Sequence, residues 1–425
     1  MKKKKAPLVR RMKEFVKTSV VWGPLDHNLF FTIIFLNVYG IIMVYSASYN
    51  NSITKNYSYF MNNQLKNVIF GFVIMIVASY VNYHRIVRLG WGWFWLLAAV
   101  AIIAALKTPL AHSELGATRW IKLGPVSFQA AEPIKAAIII FFAYYVSYWG
   151  LNRWYNQLLA CLLAIALLGF LFFFSNNLST VIVLFCICAV IILSSVKKPD
   201  LYWYFLLGLA LIIIAAIFVT VYLLMHQGAE NFRFVRIRAW LHPEEYAADE
   251  GLQAMQARYA IGAGGFWGKG LGQSLIKFKL SYSYNDFILA IICEELGVFG
   301  VIVMMTLFGY LLYRIYKIAQ NAWDIEGKVL AIGVFTQIAL QLLINVMVVT
   351  SVIPTTGVTL PFFSAGGTSV VFLLAELGMV LNVDKYAKER RFFEEAERHV
   401  AQMGQRGGIG VAGWRRRLDS ARTRR

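Results

Sequence analysis

About ten apolar runs, each close to the ~20 residues that cross a bilayer core, recur along this 425-residue chain. They lie near 29–48, 67–83, 91–106, 134–149, 156–174, 178–195, 201–225, 287–312, 329–352 and 368–383. No water-soluble domain needs so many, and 59% of the residues are hydrophobic against 15% charged. In lipid the backbone must satisfy its own hydrogen bonds, which leaves helices or a closed barrel. Runs of this length predict helices. The expectation is an all-α polytopic membrane protein of about ten transmembrane helices, one body and not several soluble domains.

Charge orients the body. Residues 1–28 are basic and lack an apolar signal core, so 29–48 reads as an uncleaved first helix behind a cytoplasmic N-terminus. Residues 29–383 form the membrane domain, and 384–425 a charged cytoplasmic tail whose first part suits a helix. An even number of spans puts both termini on one side, together with Arg85, Arg88, Arg153, Lys197, Lys198, Arg314 and Lys317. The net charge of +19 sits mainly at these flanks, where it orients the chain or meets anionic lipid heads, and no nucleic-acid partner is expected. Cys161, Cys186, Cys188 and Cys293 all lie in apolar runs and read as buried thiols.

Two outside loops break the charge rule. One, 107–133, carries Arg119 and Lys122. The other, 226–286, is a large extracytoplasmic loop between helices 7 and 8, with Arg233, Arg236, Arg238, Arg258, Lys269, Lys277 and Lys279. So many outward cations suit an anionic ligand, although snorkelling explains any single one. Within the second loop "AIGAGGFWGKGLGQS" (260–274) lacks the spacing of a nucleotide loop. Its glycines suit positive φ, close backbone approach or an anion cradle. "GATRWIKLGPVSFQAAEPIK" (116–135) leads Gln129, Glu132 and Lys135 into a span, with the last two neighbours on a helix. "VIPTTGVTLPFFSAGGTS" (352–369) is uncharged and broken by prolines and glycines, the pattern of re-entrant backbone on a cavity wall.

These segments resemble the SEDS family, the membrane glycosyltransferases that polymerise lipid II into peptidoglycan. "GATRWIKLGPVSFQAAEPIK", "GLQAMQARYAIGAGGFWGKGLGQS", "NDFILAIICEELGVFG", "LPFFSAGGTS" and "MVYSAS" match its motifs in order from the first span to the last. "GKGLGQS", "NDF" and "SAGGTS" resemble the division and sporulation branch (FtsW, SpoVE) more closely than the elongation branch (RodA). Three departures stand out. Asn177 in "NNLST" replaces a usual Asp, "QAAE" replaces Q-P-S-E, and Leu252-Gln253 replaces Tyr-Gln.

The resemblance implies that 29–383 is a glycosyltransferase domain joining lipid II units into β-1,4 glycan and releasing undecaprenyl pyrophosphate at the outer face of the bacterial cytoplasmic membrane. It also implies a class B penicillin-binding protein and other division or elongation proteins as partners. Such a transfer needs a base for the acceptor hydroxyl and cations for the leaving pyrophosphate. Asp286, where "SYSYNDF" turns apolar, is the expected base. Glu294 lies about 12 Å further along one helix, beyond the reach of a glycosidase-like carboxylate pair. Glu294 and Glu295 are therefore expected to bind partners inside the bundle. Expected substrate-binding residues are Arg119, Lys122, Gln129, Glu132, Lys135, Arg236, Arg238, Lys269, Ser274, Lys277 and Ser364. No ligand spacing calls for a metal, and a divalent cation beside Asp286 is left open. Two rival readings stand beside the polymerase: a lipid II flippase using the intramembrane charges, and a division scaffold.

Overall fold

The computed structural model describes residues 21, 23–48, 59–88, 92–109, 111–114, 117–123, 126–175, 177–196, 232–245, 250–278, 285–364 and 367–405. The expected seventh span, 201–225, lies outside them. The other nine expected spans fall in helices. These are α1 (His27–Ser48), α2 (Tyr59–Tyr80), α4 (Trp93–Ala105), α5 (Ala131–Trp149), α6 (Trp154–Ser175), α7 (Leu178–Ser195), α10 (Ile288–Gln320), α11 (Ile325–Val349) and α12 (Thr368–Gln405). Between them lie the short α3 (Tyr83–Val87), α8 (Phe232–Leu241) and α9 (Glu250–Gly264). Among the described residues six helices, α1, α2, α6, α7, α10 and α11, are long and apolar enough to cross a bilayer.

Helix ends follow local chemistry. The Asn177 and Asp324 side chains cap α7 and α11, accepting from the Thr180 and Gly327 amides. α2 begins at Tyr59, well before the apolar run at 67, and carries Asn62, Asn63, Gln64 and Lys66 in its first two turns. α12 runs past 383 to Gln405, carrying the last span into the charged tail.

The centre of the bundle is α5, whose side chains from Ile134 to Val146 are almost all buried. α5 packs on α4, α7, α11 and α12; α10 packs on α1, α9 and α11; α12 lies along α2. α6 keeps Leu158, Leu162, Ile165 and Phe173 exposed, as a lipid-facing helix should.

The two segments expected as outside loops are more ordered than the sequence shows. Residues 107–133 hold a three-stranded antiparallel sheet, β1 (Ala111–Glu114), β2 (Ala117–Leu123) and β3 (Val126–Gln129), in the order β1-β2-β3. Its register pairs Trp120 with Gln129 and thereby fixes the approach to α5. The membrane body is helical as expected, and these strands of four to seven residues between turn residues escaped a search for 20-residue spans.

The 226–286 segment is not a simple loop either. α8 is tied to the α11–α12 connection by the Trp240 Nε1–H bond to Ser351 O, 2.8 Å. α9 packs against α10, and the chain after it lies on the first turns of α10. α10 is broken at Gly297, where φ is 65°. The break frees backbone groups that a membrane interior cannot hydrate. The incoming segment satisfies them: Lys269 and Gly270 N–H donate to Glu294 and Glu295 O, and Val298 and Phe299 N–H donate to Gly265 and Phe266 O. A Cβ at Gly297 would come within 2.4 Å of Phe266 O, and one at Gly268 within 2.2 Å of Glu295 O. Close backbone approach is thus what the glycine-rich run serves.

At the opposite end of the bundle a polar cluster joins α3, α5 and α11. Tyr83 OH and His84 Nε2 contact Asp324 at 2.6 and 2.8 Å, while Arg88 and Ser147 donate to Glu326. Burial pushes the Asp324 carboxyl up, but hydrogen bonds from His84, the Gly327 amide and Tyr83 outweigh it and hold the carboxyl below its ordinary value.

Candidate functional site

The end of the bundle formed by the C-termini of α1 and α11 and the N-termini of α5, α7, α10 and α12 gathers most of the expected residues into three groups.

The first is a polar recess of about 350 Å³. Gln129, Glu132, Lys135, Asn177, Thr180 and Gln341 line it together with Gly357, Val358 and Thr359. Its floor is the expected ion pair: Lys135 Nζ meets Glu132 Oε1 at 2.9 Å, and both side chains are buried. A second recess of about 240 Å³ shares Gln129, Asn177 and Thr180 but is otherwise walled by Leu106, Ile134 and Leu171. Asn177, which departs from the resembled motif, therefore both caps α7 and stands between a polar and an apolar compartment.

The second group surrounds Glu294 and Glu295, both fully buried. Glu294 receives Lys269 Nζ at 2.8 Å, Ser274 Oγ, and the amides of Leu275 and Ile276. Glu295 receives Ser46 Oγ at 2.5 Å and the Ser274 amide at 3.3 Å, and stands 3.5 Å from Lys277 Nζ. Buried carboxylates need such partners. Lys277 also donates to Gly272 O. Lys269, Ser274 and Lys277 thus serve as internal partners of α10.

The third group holds the turn Asn285–Phe287 that precedes α10. Asp286 is half-buried there. Phe287, not Asp286, occupies the cap position, and it makes no side-chain capping bond. The Asn345 Nδ2 group donates to Asp286 O and to Val358 O, each at 2.9 Å. Ser364 Oγ donates to Asn285 O at 2.9 Å and accepts from the Leu360 amide at 2.8 Å. Val358 also lines the polar recess, so one asparagine links that recess to the Asp286 turn.

The remaining expected residues stand apart. Lys122 is exposed on β2, Arg236 and Arg238 are half-buried on α8, and none of the three lines either recess. The Arg119 side chain lies outside the described residues. Among the described residues, no three or more His, Cys, Asp and Glu side chains converge as metal ligands would. Sequence reading missed Asn345. Its signal was the row Gln337, Gln341 and Asn345, one face of an otherwise apolar helix at four-residue spacing.

The profile of the FtsW, RodA and SpoVE family, described as "Cell cycle protein", matches residues 26–389. A probable peptidoglycan glycosyltransferase FtsW from Trichlorobacter lovleyi is 31% identical over 88% of this chain and 96% of its own length. The stage V sporulation protein E of Bacillus subtilis is 33% identical over 84% of this chain and 96% of its own. A chain from a solved structure described as "Structural coordination of polymerization and crosslinking by a peptidoglycan synthase complex" superposes with a TM-score of 0.71 at 22% identity, covering 86% of this chain and 99% of that one. The profile match spans the bundle from α1 into α12, and this chain, a multi-pass membrane protein, belongs to the FtsW, RodA and SpoVE family.

Proposed function

We propose that this chain is a peptidoglycan glycosyltransferase that joins lipid II disaccharides at the outer face of the cytoplasmic membrane during division. Its likeness to probable peptidoglycan glycosyltransferases supports the activity. The observation that carries the site is the link, through Asn345, between the Asp286 turn and the recess holding Lys135. Asp286 takes the proton of the acceptor sugar's 4-hydroxyl as that oxygen attacks the donor's anomeric carbon. The bond from that carbon to the lipid pyrophosphate breaks, and undecaprenyl pyrophosphate leaves with the electron pair. One displacement inverts the α-linked donor to a β-1,4 product, so no covalent sugar–enzyme intermediate is needed.

Lys135 is the first candidate to meet the pyrophosphate, because it lines the recess. Lys122, Arg236, Arg238 and Arg119 follow as outer-face cations. A class B penicillin-binding protein is the expected partner and the division septum the expected place. Residues 1–28 and 384–425 are assigned to the cytoplasm. Single cysteines at Ala248 and Gly407, in a background without the native cysteines, should label from opposite sides, and labelling from one side would break this topology.

The flippase reading draws on Gln337 and Glu376, hydrogen-bonded at 2.8 Å deep between α11 and α12. One assay separates the two functions. Purified protein is given lipid II, with and without the penicillin-binding protein and with and without a chelator, and glycan chains are resolved by length. The proposal expects chains from the wild type and none from Asp286→Asn. Lipid II crossing liposome membranes with no chains formed in any arm would favour transport and sink the polymerase.

A further inference from the structure

The carbonyls of Asn285 and Asp286 precede the hydrogen-bond ladder of α10, which begins at Ile288. Each is instead met by a side chain from another part of the chain. Asn345, fully buried on α11, spends both hydrogens of one amide on Asp286 O and Val358 O. Ser364, also buried, closes the 360–364 turn through the Leu360 amide and donates its own hydrogen to Asn285 O. The turn that carries Asp286 is thereby tied to the recess wall at Val358 and to the 351–364 segment.

We propose that Asn345 and Ser364 are positioning residues that clamp the main chain on both sides of the Asp286 α-carbon and aim its carboxylate at the acceptor hydroxyl. This rests on the reading of Asp286 as the base, and it moves Ser364 from the expected substrate-binding set to the support of that base. Two carbonyls facing one side-chain atom demand two N–H donors, which asparagine supplies and an ionised aspartate does not. A carboxylate oxygen in that place faces two carbonyl oxygens and pushes the turn away. At Ser364 only the hydroxyl matters, since it accepts and donates at once.

The test has an arm that does not depend on turnover. In the full-length chain without native cysteines, Asp286→Cys is labelled by a membrane-impermeant thiol reagent. Adding Asn345→Asp or Ser364→Ala should change the labelling rate by about fivefold or more, whereas Ser364→Thr should leave it near the starting rate. Unchanged labelling in both disruptive variants overturns the clamp.

The second arm keeps Asp286 and measures lipid II polymerisation. Ser364→Ala and Asn345→Asp should lower kcat by roughly 10- to 100-fold, the scale of a misplacement near 1 Å. KM should stay within about threefold, and Ser364→Thr should restore kcat. Thermal unfolding in detergent accompanies each variant, so that the Ser364 pair carries the result if Asn345→Asp does not fold. Altered labelling with wild-type kcat overturns the positioning role. If Asp286→Asn itself polymerises normally, the base assignment fails, and the labelling arm still decides whether the clamp exists.

Discussion

Two aspartates stand at the start of neighbouring helices, one at each end of the bundle, and different bonds hold the backbone and side chain around each. Asp324 precedes α11 and gives its side chain to architecture: Gly327 N–H, Tyr83 OH and His84 all address its carboxyl. Asp286 precedes α10 by one residue more than a cap does, and the bonds that fix its turn run through the main chain, from Asn345 and Ser364. A carboxylate built into a cap stabilises the fold. A carboxylate whose backbone is clamped by others is oriented, which is what a proton acceptor needs.

The largest expected effect tests Asp286. Asp286→Asn should lower glycan polymerisation by at least about 100-fold, within the range for loss of a general base, with unfolding temperature nearly unchanged. Near wild-type chain formation would erase the contrast. Next comes the Glu132–Lys135 pair in the recess. Removing one partner should cost about 3–5 kcal/mol, because the other charge stays buried. The exchange Glu132→Lys with Lys135→Glu should restore expression but not polymerisation. Full activity in the exchanged protein would confine the pair to architecture and send the search for pyrophosphate ligands to Lys122, Arg236 and Arg238.

A smaller loss is expected at the break in α10. Gly297→Ala places a side chain at φ 65° against Phe266 O and should destabilise the protein by roughly 1–3 kcal/mol. Thermal unfolding and the reactivity of Cys293 would report it, and a neutral result would mean that the incoming segment yields easily. The smallest effect belongs to Asp324. Asp324→Ala should cost about 1 kcal/mol, as lost caps do, with polymerisation per folded molecule retained. The carboxyl titrates lower in the folded chain than in the unfolded one. Its contribution is therefore full above the unfolded value and fades as pH falls through the folded value. Stability should therefore fall less steeply in acid for Asp324→Ala than for the wild type, and identical acid profiles would show that the carboxyl is inert.

The legible parts of the sequence were those with a local cause. Apolar length located nine spans in the described helices, i,i+3 spacing joined Glu132 to Lys135, and the onset of the apolar run put Asp286 just before α10. The glutamates of "CEELG" were expected to find partners in the bundle, but not which ones. Lys269 and Lys277 looked like loop cations awaiting an anion. They meet Glu294 and Glu295 because the chain after α9 folds back onto the break at Gly297, and no residue near them in sequence reports that return.

What the sequence by itself determined is a membrane bundle, its charge bias and the residue types available at each end, because hydrophobic length and helix spacing act over a few turns. What only the tertiary structure decided is which polar groups meet. Asn345 reaches Asp286 across 59 residues, and Ser364 reaches Asn285 across 79. Inside a membrane an unpaired polar group costs several kcal/mol. The bundle therefore pairs its polar groups wherever packing brings them together, and packing is settled by the whole chain.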